Sequence, residues 1–251
     1  EGKYFVVGHF LVQSNNFSPN QMKTARHFQD LMLHRVHDIL LVASPYDAFI
    51  LEEDGRLTEQ ILHEYLGMNL SYAPRVWQAN TASYAMDLLS RRSVDIIIVM
   101  MRISDMDLIT FGKHIKELYS KKPIILLAFD ESEIKQLPEN YTDFMDNIFV
   151  WTGNASVFPA IIKYIEDKKN VKRDIRKGDV RSIIYIEDTP RYYSSILPII
   201  YKETLFHTKQ LIDKSLNNTQ RLLHMRGRPK VLLAQNYEQA ERYFKNYKNN
   251  I

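Results

Sequence analysis

No cysteine occurs anywhere in the chain, which excludes disulfides and thiolate metal sites and fits a reducing, cytoplasmic setting. Glycine is scarce as well: there are eight in 251 residues, none in a Gly-rich phosphate loop, so that kind of nucleotide cradle is excluded. There is no run of about eighteen apolar residues and no signal-peptide pattern at the N-terminus. Nothing in the sequence takes the chain into or across a membrane. Net charge is small too, at +3, but the balance is uneven along the chain. Residues 1–167 carry 15 Lys+Arg and 22 Asp+Glu (15 − 22 = −7), and residues 168–251 carry 18 and 8 (18 − 8 = +10). Opposite fields on two segments imply two modules that attract each other. With no recognition motif or aromatic platform, they do not point to nucleic acid.

What the sequence does have is a series of short apolar tracts separated by helical patterns. The run Val94 to Asp107 centres on Ile96–Met101, an unbroken β-branched tract that reads as a strand covered on both faces. Asp38–Ala43, Pro74–Ala79, Ile124–Ala128 and Asn147–Trp151 read as further strands. Helices are predicted at Tyr46–Leu66 (interrupted by the acidic stretch 52–55), after an N-cap at Thr81, and at Ile109–Tyr119, Glu131–Gln136 and Phe158–Asp167. Strands alternating with helices predict an α/β domain at 38–169, a flavodoxin-like (βα)5 doubly wound parallel sheet. Residues 1–37 read as a lead-in, with a short strand or hairpin and then a helix from Ser18-Pro19 to about His37.

Residues 170–181 are strongly basic with few apolar side chains and read as a linker. The pattern then restarts over 182–251. Ser182–Ile186 is a strand, a long helix runs from Pro190 to about His224, and a strand at Lys230–Ala234 and a helix at Tyr237–Lys248 follow. This predicts a partial second βαβα unit, whose unpaired sheet edge is a liability that a second copy can share. Ile196, Ile200, Leu205, Ile212, Leu216 and Leu223 give the long helix an apolar stripe in need of a partner. That partner is expected to be a second copy, in a homodimer, or the remainder of a longer protein.

In a parallel sheet the chemistry sits at the carboxyl ends of the strands. The order of motifs there resembles two-component receiver domains, with Met106-Asp107 standing where the family has a Met-Asp pair. The resemblance implies an acceptor aspartate, an acidic pair holding Mg²⁺, a hydroxyl and a lysine. At the matching positions this chain has Met100, Ala43 with Ser44, Ala128 and Trp151, and none of these side chains accepts phosphate or binds Mg²⁺. The first domain therefore resembles a degenerate pseudo-receiver, without a catalytic residue or cofactor of its own. Asp105 and Asp107, near the same rim, are the alternative acceptors, whereas Asp95 begins its strand at the opposite edge.

In the second unit Glu187 and Asp188 stand where a receiver's Mg²⁺ pair stands, without the strand that carries the acceptor. They are either a metal pair completed by further residues, as in a working phosphorelay receiver, or acidic residues complementing the helix that starts at Pro190. The stretches SPYDAFILEEDGRLTEQ (44–60), FVWTGN (149–154) and RYYSSILPIIYKE (191–203) are similar to the N-terminal region of bacterial proteins related to phosphoenolpyruvate synthase and pyruvate phosphate dikinase. That similarity implies a regulatory region ahead of an ATP-using, PEP/pyruvate-binding domain.

Three other constellations carry less. His34 and His37 have metal-ligand spacing but no third ligand. Trp151 can stack a purine, as a nucleotide or small-anion module would require, or plug the vacated pocket. Ser194 and Ser195 lack a His-Asp partner motif.

Overall fold

The computed structural model describes residues 31–51, 57–67, 73–151, 153–215 and 227–251. Five strands, β1 (Asp38–Val42), β2 (Arg75–Ala79), β3 (Ile96–Met100), β4 (Ile124–Ala128) and β5 (Asn147–Val150), pair in parallel in the order β2-β1-β3-β4-β5. That order is the flavodoxin-like one. The helices are α1 (Pro45–Leu51), α2 (Leu57–Gly67), α3 (Ala82–Arg91), α4 (Leu108–Leu118), α5 (Glu131–Ile134) and α6 (Val157–Gly178). Thr81 caps α3, its side chain accepting from the Tyr84 N–H at 3.1 Å.

The apolar tracts become the core because both faces of the sheet are covered. Leu40, Val42, Ile97 and Val99 pack with Ala85, Leu89, Phe111 and Ile115 of α3 and α4. Ile39, Leu41, Ile98 and Met100 pack with Ile61, Phe158, Ile161 and Ile165 of α2 and α6. Every residue of β3 and β4 is buried, and each such Leu or Ile contributes about 1.5–3 kcal/mol.

The second unit comprises β6 (Ser182–Ile186), α7 (Pro190–Asp213), β7 (Lys230–Ala234) and α8 (Tyr237–Tyr247), with β6 and β7 paired in parallel as a two-stranded sheet. The two sheets share helices. α6 packs on β7 as well as on the first sheet, and α7 lies on β5 and α6.

Three sequence expectations are corrected. The predicted linker at 170–181 is largely helix: α6 continues to Gly178 with Asn170, Val171 and Asp174 buried, and ends at Asp179, left-handed at φ 49°. Its polar residues look like a linker in sequence because their partners lie far along the chain. The predicted lead-in helix does not reach His37. Residues 1–30 lie outside the described residues, while Leu31 to His37 is non-helical and runs along α6. The N–H groups of Met32, His34 and Val36 donate to Asp174 Oδ1, Asn170 Oδ1 and Glu166 Oε1 at 3.1, 3.0 and 3.0 Å. Two residues of extended chain rise about 6.6 Å and four helical residues about 6 Å, so alternate donors meet successive helix turns.

The long helix ends at Asp213 rather than running on to His224, and residues 216–226 lie outside the described residues. Its inward face is Tyr193, Ser194, Leu197, Tyr201, Leu205 and Thr208, covered by the chain itself; of the predicted stripe, Leu205 lies on that face. Ile196 and Ile200 are only half-buried beside that face. The same helix covers the free edge of β5. Ser194 Oγ accepts from the Val150 N–H at 2.9 Å and the Tyr193 hydroxyl donates to the Ile148 carbonyl. Among the described residues no helix is long and apolar enough to cross a membrane.

Two buried ion pairs fasten the second unit to α6. Arg228 meets Asp167 through two bonds of 2.7 and 3.0 Å, the Val231 N–H donates to Asp167 at 2.9 Å, and Lys230 Nζ lies 2.9 Å from Asp174. Burial lowers the pKa of the Lys230 ammonium. An Asp167→Ala substitution leaves the Arg228 guanidinium buried and unpaired, and it is expected to cost about 3–5 kcal/mol in urea unfolding. Adding Arg228→Met should restore a large part of that loss.

Candidate functional site

The carboxyl edge of the first sheet is where a doubly wound fold places its chemistry. Met100 ends β3 with no exposed surface, and Ala43, one residue past β1, is equally enclosed. Ala128 ends β4, also fully buried. Trp151 follows β5, its N–H donating to the Ala128 carbonyl at 2.7 Å and its ring edge-on to Phe158 with centroids 6.0 Å apart. Met100, Ala43 and Trp151 pack into one apolar cluster, so the positions grouped by the sequence are grouped in space as a hydrophobic plug. Ser44, at the rim, accepts through Oγ from the Asp47 N–H at 3.1 Å and starts α1. Ala, Ser, Met and Trp offer no carboxylate here, so these residues do not fit a Mg²⁺ site.

Across this plug runs an ion pair that the sequence did not single out. Asp47, in the first turn of α1, is 1% exposed, and Arg102, two residues past β3, reaches it with Nη2 at 2.6 Å and Nε at 3.2 Å. The Arg102 carbonyl also accepts from the Ser44 N–H at 3.1 Å, and its guanidinium lies 5.6 Å from the Tyr46 ring. The hydrogen bond to Asp47 raises the Arg102 pKa. The loops after β1 and β3 are therefore tied together by fixed charges of the protein. The only trace of this in the sequence was an arginine in the loop after the central strand; that Asp47 is buried follows from packing.

The two alternative acceptors are occupied. Asp105 takes the N–H groups of Ala82 (2.5 Å) and Ser83 (3.0 Å) and the Ser83 hydroxyl (2.6 Å), bridging the loop after β3 to the start of α3. Asp107 caps α4, accepting from the Thr110 N–H at 2.9 Å. The Ser83 bonds lower the Asp105 pKa and the Thr110 bonds lower that of Asp107.

In the second unit Glu187 accepts from the Thr189 N–H and Asp188 from the Thr189 hydroxyl, both at 3.1 Å, immediately before α7. Both contacts lie in the turn that leads into the helix. Among the described residues no three His, Asp or Glu side chains gather as a metal site. His34 and His37 are exposed, their N–H groups held by Asn170 and Asp95 respectively. Ser194 is buried in its bond to β5, and Ser195 returns its hydroxyl to the Arg191 carbonyl at 3.0 Å.

Because the Asp105 pKa is lowered in the fold, its contribution to stability is full above the ordinary carboxylate value of 3.8 and is lost as pH falls through the folded value. Thermal melts of wild type and Asp105→Ala should differ most near neutrality and converge as pH falls below the lowered folded value. Neither a protein-family model nor a curated protein matches this chain. Among solved structures it is similar to the receiver domain of an HD domain-containing protein from Pseudomonas fluorescens Pf-5, at 19% identity and TM-score 0.40 over 57% of this chain and 95% of that one. A Clostridium thermocellum receiver domain is similar at 14% identity and TM-score 0.42 over 54% and 98% of the two chains, and the receiver domain of AraT from Geobacillus stearothermophilus at 18% and 0.41 over 55% and 98%. The strand order within residues 38–150 is that of the flavodoxin-like receiver fold.

Proposed function

We propose that this chain is a regulatory and assembly module whose receiver-like domain is not switched by aspartyl phosphorylation. One observation carries the reading: a fully buried thioether, Met100, ends the central strand, where the fold presents its acceptor. Phosphoryl transfer to a protein carboxylate needs that nucleophile, a divalent cation held by neighbouring acids, and a cation for the phosphoryl oxygens. Methionine has no nucleophilic oxygen, and Ala43, Ser44, Ala128 and Trp151 supply no ligand for the metal or the phosphate. The nearby Asp47 is already neutralised by Arg102. The loops that phosphorylation would rearrange are held in one arrangement by the Arg102–Asp47 pair and the Asp105 cap.

Such a domain acts by packing rather than by switching. The sequence similarity to regions preceding PEP/pyruvate-binding, ATP-using domains supplies the finer part of the proposal. In that reading the module is a fixed support for a catalytic partner domain and has no catalytic residue of its own.

Incubation with acetyl phosphate and Mg²⁺ followed by intact-mass measurement tests the reading. The expected mass is unchanged, and the Met100→Asp variant stays unmodified too, since the metal ligands are still missing. A gain of one phosphoryl group on the wild-type chain, mapped to any aspartate, overturns it.

A further inference from the structure

The amino edge of the first sheet, opposite the apolar plug, holds a pocket of about 400 Å³ between the loops leading into β3 and β4 and the middle of α6. Its polar lining is Ser93, Asp95, Ser120, Lys121, Lys122 and Lys169, all of them described residues. Helix length brings the last of these there. A five-residue strand spans about 16 Å, and the chain from Val157 to Lys169 rises about 18 Å, so a helix that starts beside the end of β5 delivers Lys169 to the other edge. Lys122 is fixed in place: its Nζ donates to the Val94 carbonyl at 2.6 Å and lies 5.5 Å from the centre of the Tyr119 ring. An ammonium has three donors, so others remain. The nearby acids are engaged. Asp95 Oδ2 accepts from the His37 and Asp38 N–H groups at 2.7 and 3.1 Å, and Asp146 takes Lys116 Nζ at 2.6 Å and the Ile124 N–H at 2.7 Å. Among the described residues neither Lys121 nor Lys169 makes a hydrogen bond or an ion pair.

We infer that this pocket binds a dianionic phosphate group, free or carried by a small phosphomonoester. Three lysines against one aspartate leave its lining with a net charge of +2. A phosphate ester carries close to two negative charges at neutral pH and neutralises that lining, whereas a monocarboxylate leaves one cation over. Its oxygens also offer enough acceptors for several ammonium donors together with the Ser93 and Ser120 hydroxyls. The lysines strain against one another without it. Burial lowers the Lys169 pKa, Asp95 opposes that, and the positive charge of Lys122 lowers it further, so an anion between the two relieves their repulsion. The cavity exceeds a phosphate in size, and Tyr119 and the exposed Leu118 in its wall give a small organic group an apolar surface to rest on. Because the pocket lies at the opposite end of the strands from Met100, the inference does not depend on whether the first domain is phosphorylated.

Isothermal titration calorimetry of the 251-residue chain at neutral pH, with sodium phosphate and with glycerol 3-phosphate, is the test. Both are expected to bind at one site with a Kd of about 1 mM or tighter, and sodium acetate at least about tenfold more weakly. Lys169 is exposed, so Lys169→Gln should keep the fold by circular dichroism while weakening phosphate at least about tenfold. Lys121→Gln should do the same, and it decides the matter if Lys169→Gln fails to fold. Lys122 is left intact, because its bond to Val94 also joins the two loops. Phosphatidylcholine vesicles containing phosphatidate separate a lipid source of the phosphate from a soluble one: the chain is expected to stay in the supernatant when they are pelleted. No binding up to about 20 mM phosphate, binding that Lys169→Gln and Lys121→Gln leave unchanged, acetate held as tightly as phosphate, or pelleting with the vesicles without binding of the soluble phosphates each overturns the inference.

Discussion

The fold depends on one helix that is buried on more than one side. α6 carries Val157, Phe158, Ile161 and Ile165 into the core of the first sheet. Its other faces hold Glu166, Asp167, Asn170 and Asp174, each almost completely removed from solvent. Four polar groups on one buried helix would be strongly unfavourable if left alone. They are tolerated because each is spoken for by Lys163, Arg228, Lys230 or the backbone of residues 32–36. Burial lowers the Lys163 and Lys230 pKa values, but Glu166 and Asp174 beside them favour the charged forms. For Arg228 the attraction of Asp167 overcomes burial and the pKa is raised. Removing any one partner therefore leaves a charge or an N–H stranded in the interior.

That arrangement explains why the two units do not behave as beads on a string. The last helix of the first unit covers β7, the first helix of the second unit covers the edge of β5, and one apolar cluster runs through both. Phe149 stacks edge-on with Tyr164 and Tyr193, one aromatic from each of the interlocked helices, at centroid distances of 5.8 and 5.4 Å. Gln235, just after β7, reaches Asn147 at the start of β5 at 2.8 Å. The acidic and basic halves seen in the sequence meet in the Arg228–Asp167 pair, as two attracting modules should.

At the carboxyl edge of the first sheet Ala43, Met100 and Ala128 are apolar and buried, and the surrounding loops are held by polar contacts. Arg102 and Asp47 supply one tie, and Asp105 and Asp107 supply caps to α3 and α4. Asp105 and Asp107 thus have structural work as hydrogen-bond acceptors, and the bonds from Ser83 and Thr110 lower their pKa values.

The sequence alone determined the strands of the first sheet, their parallel order and the apolar character of Ala43, Met100, Ala128 and Trp151. Unbroken β-branched tracts and helical spacing are local patterns, and they survive burial on any scaffold. It also placed Thr81 as a cap and the acids at 187 and 188 before a helix, because capping is decided within a few residues. Only the tertiary structure decided that 170–178 is helix, that Leu31 to His37 lies non-helical along it, and that the Tyr193, Leu197 and Tyr201 face of α7 is covered from within. Each of these rests on partners 44 to 142 residues away, as in the bonds of Val150 to Ser194 and Met32 to Asp174. A lysine, an aspartate or an asparagine reads as solvent-facing until the group that neutralises it is brought alongside, and only the folded chain does that.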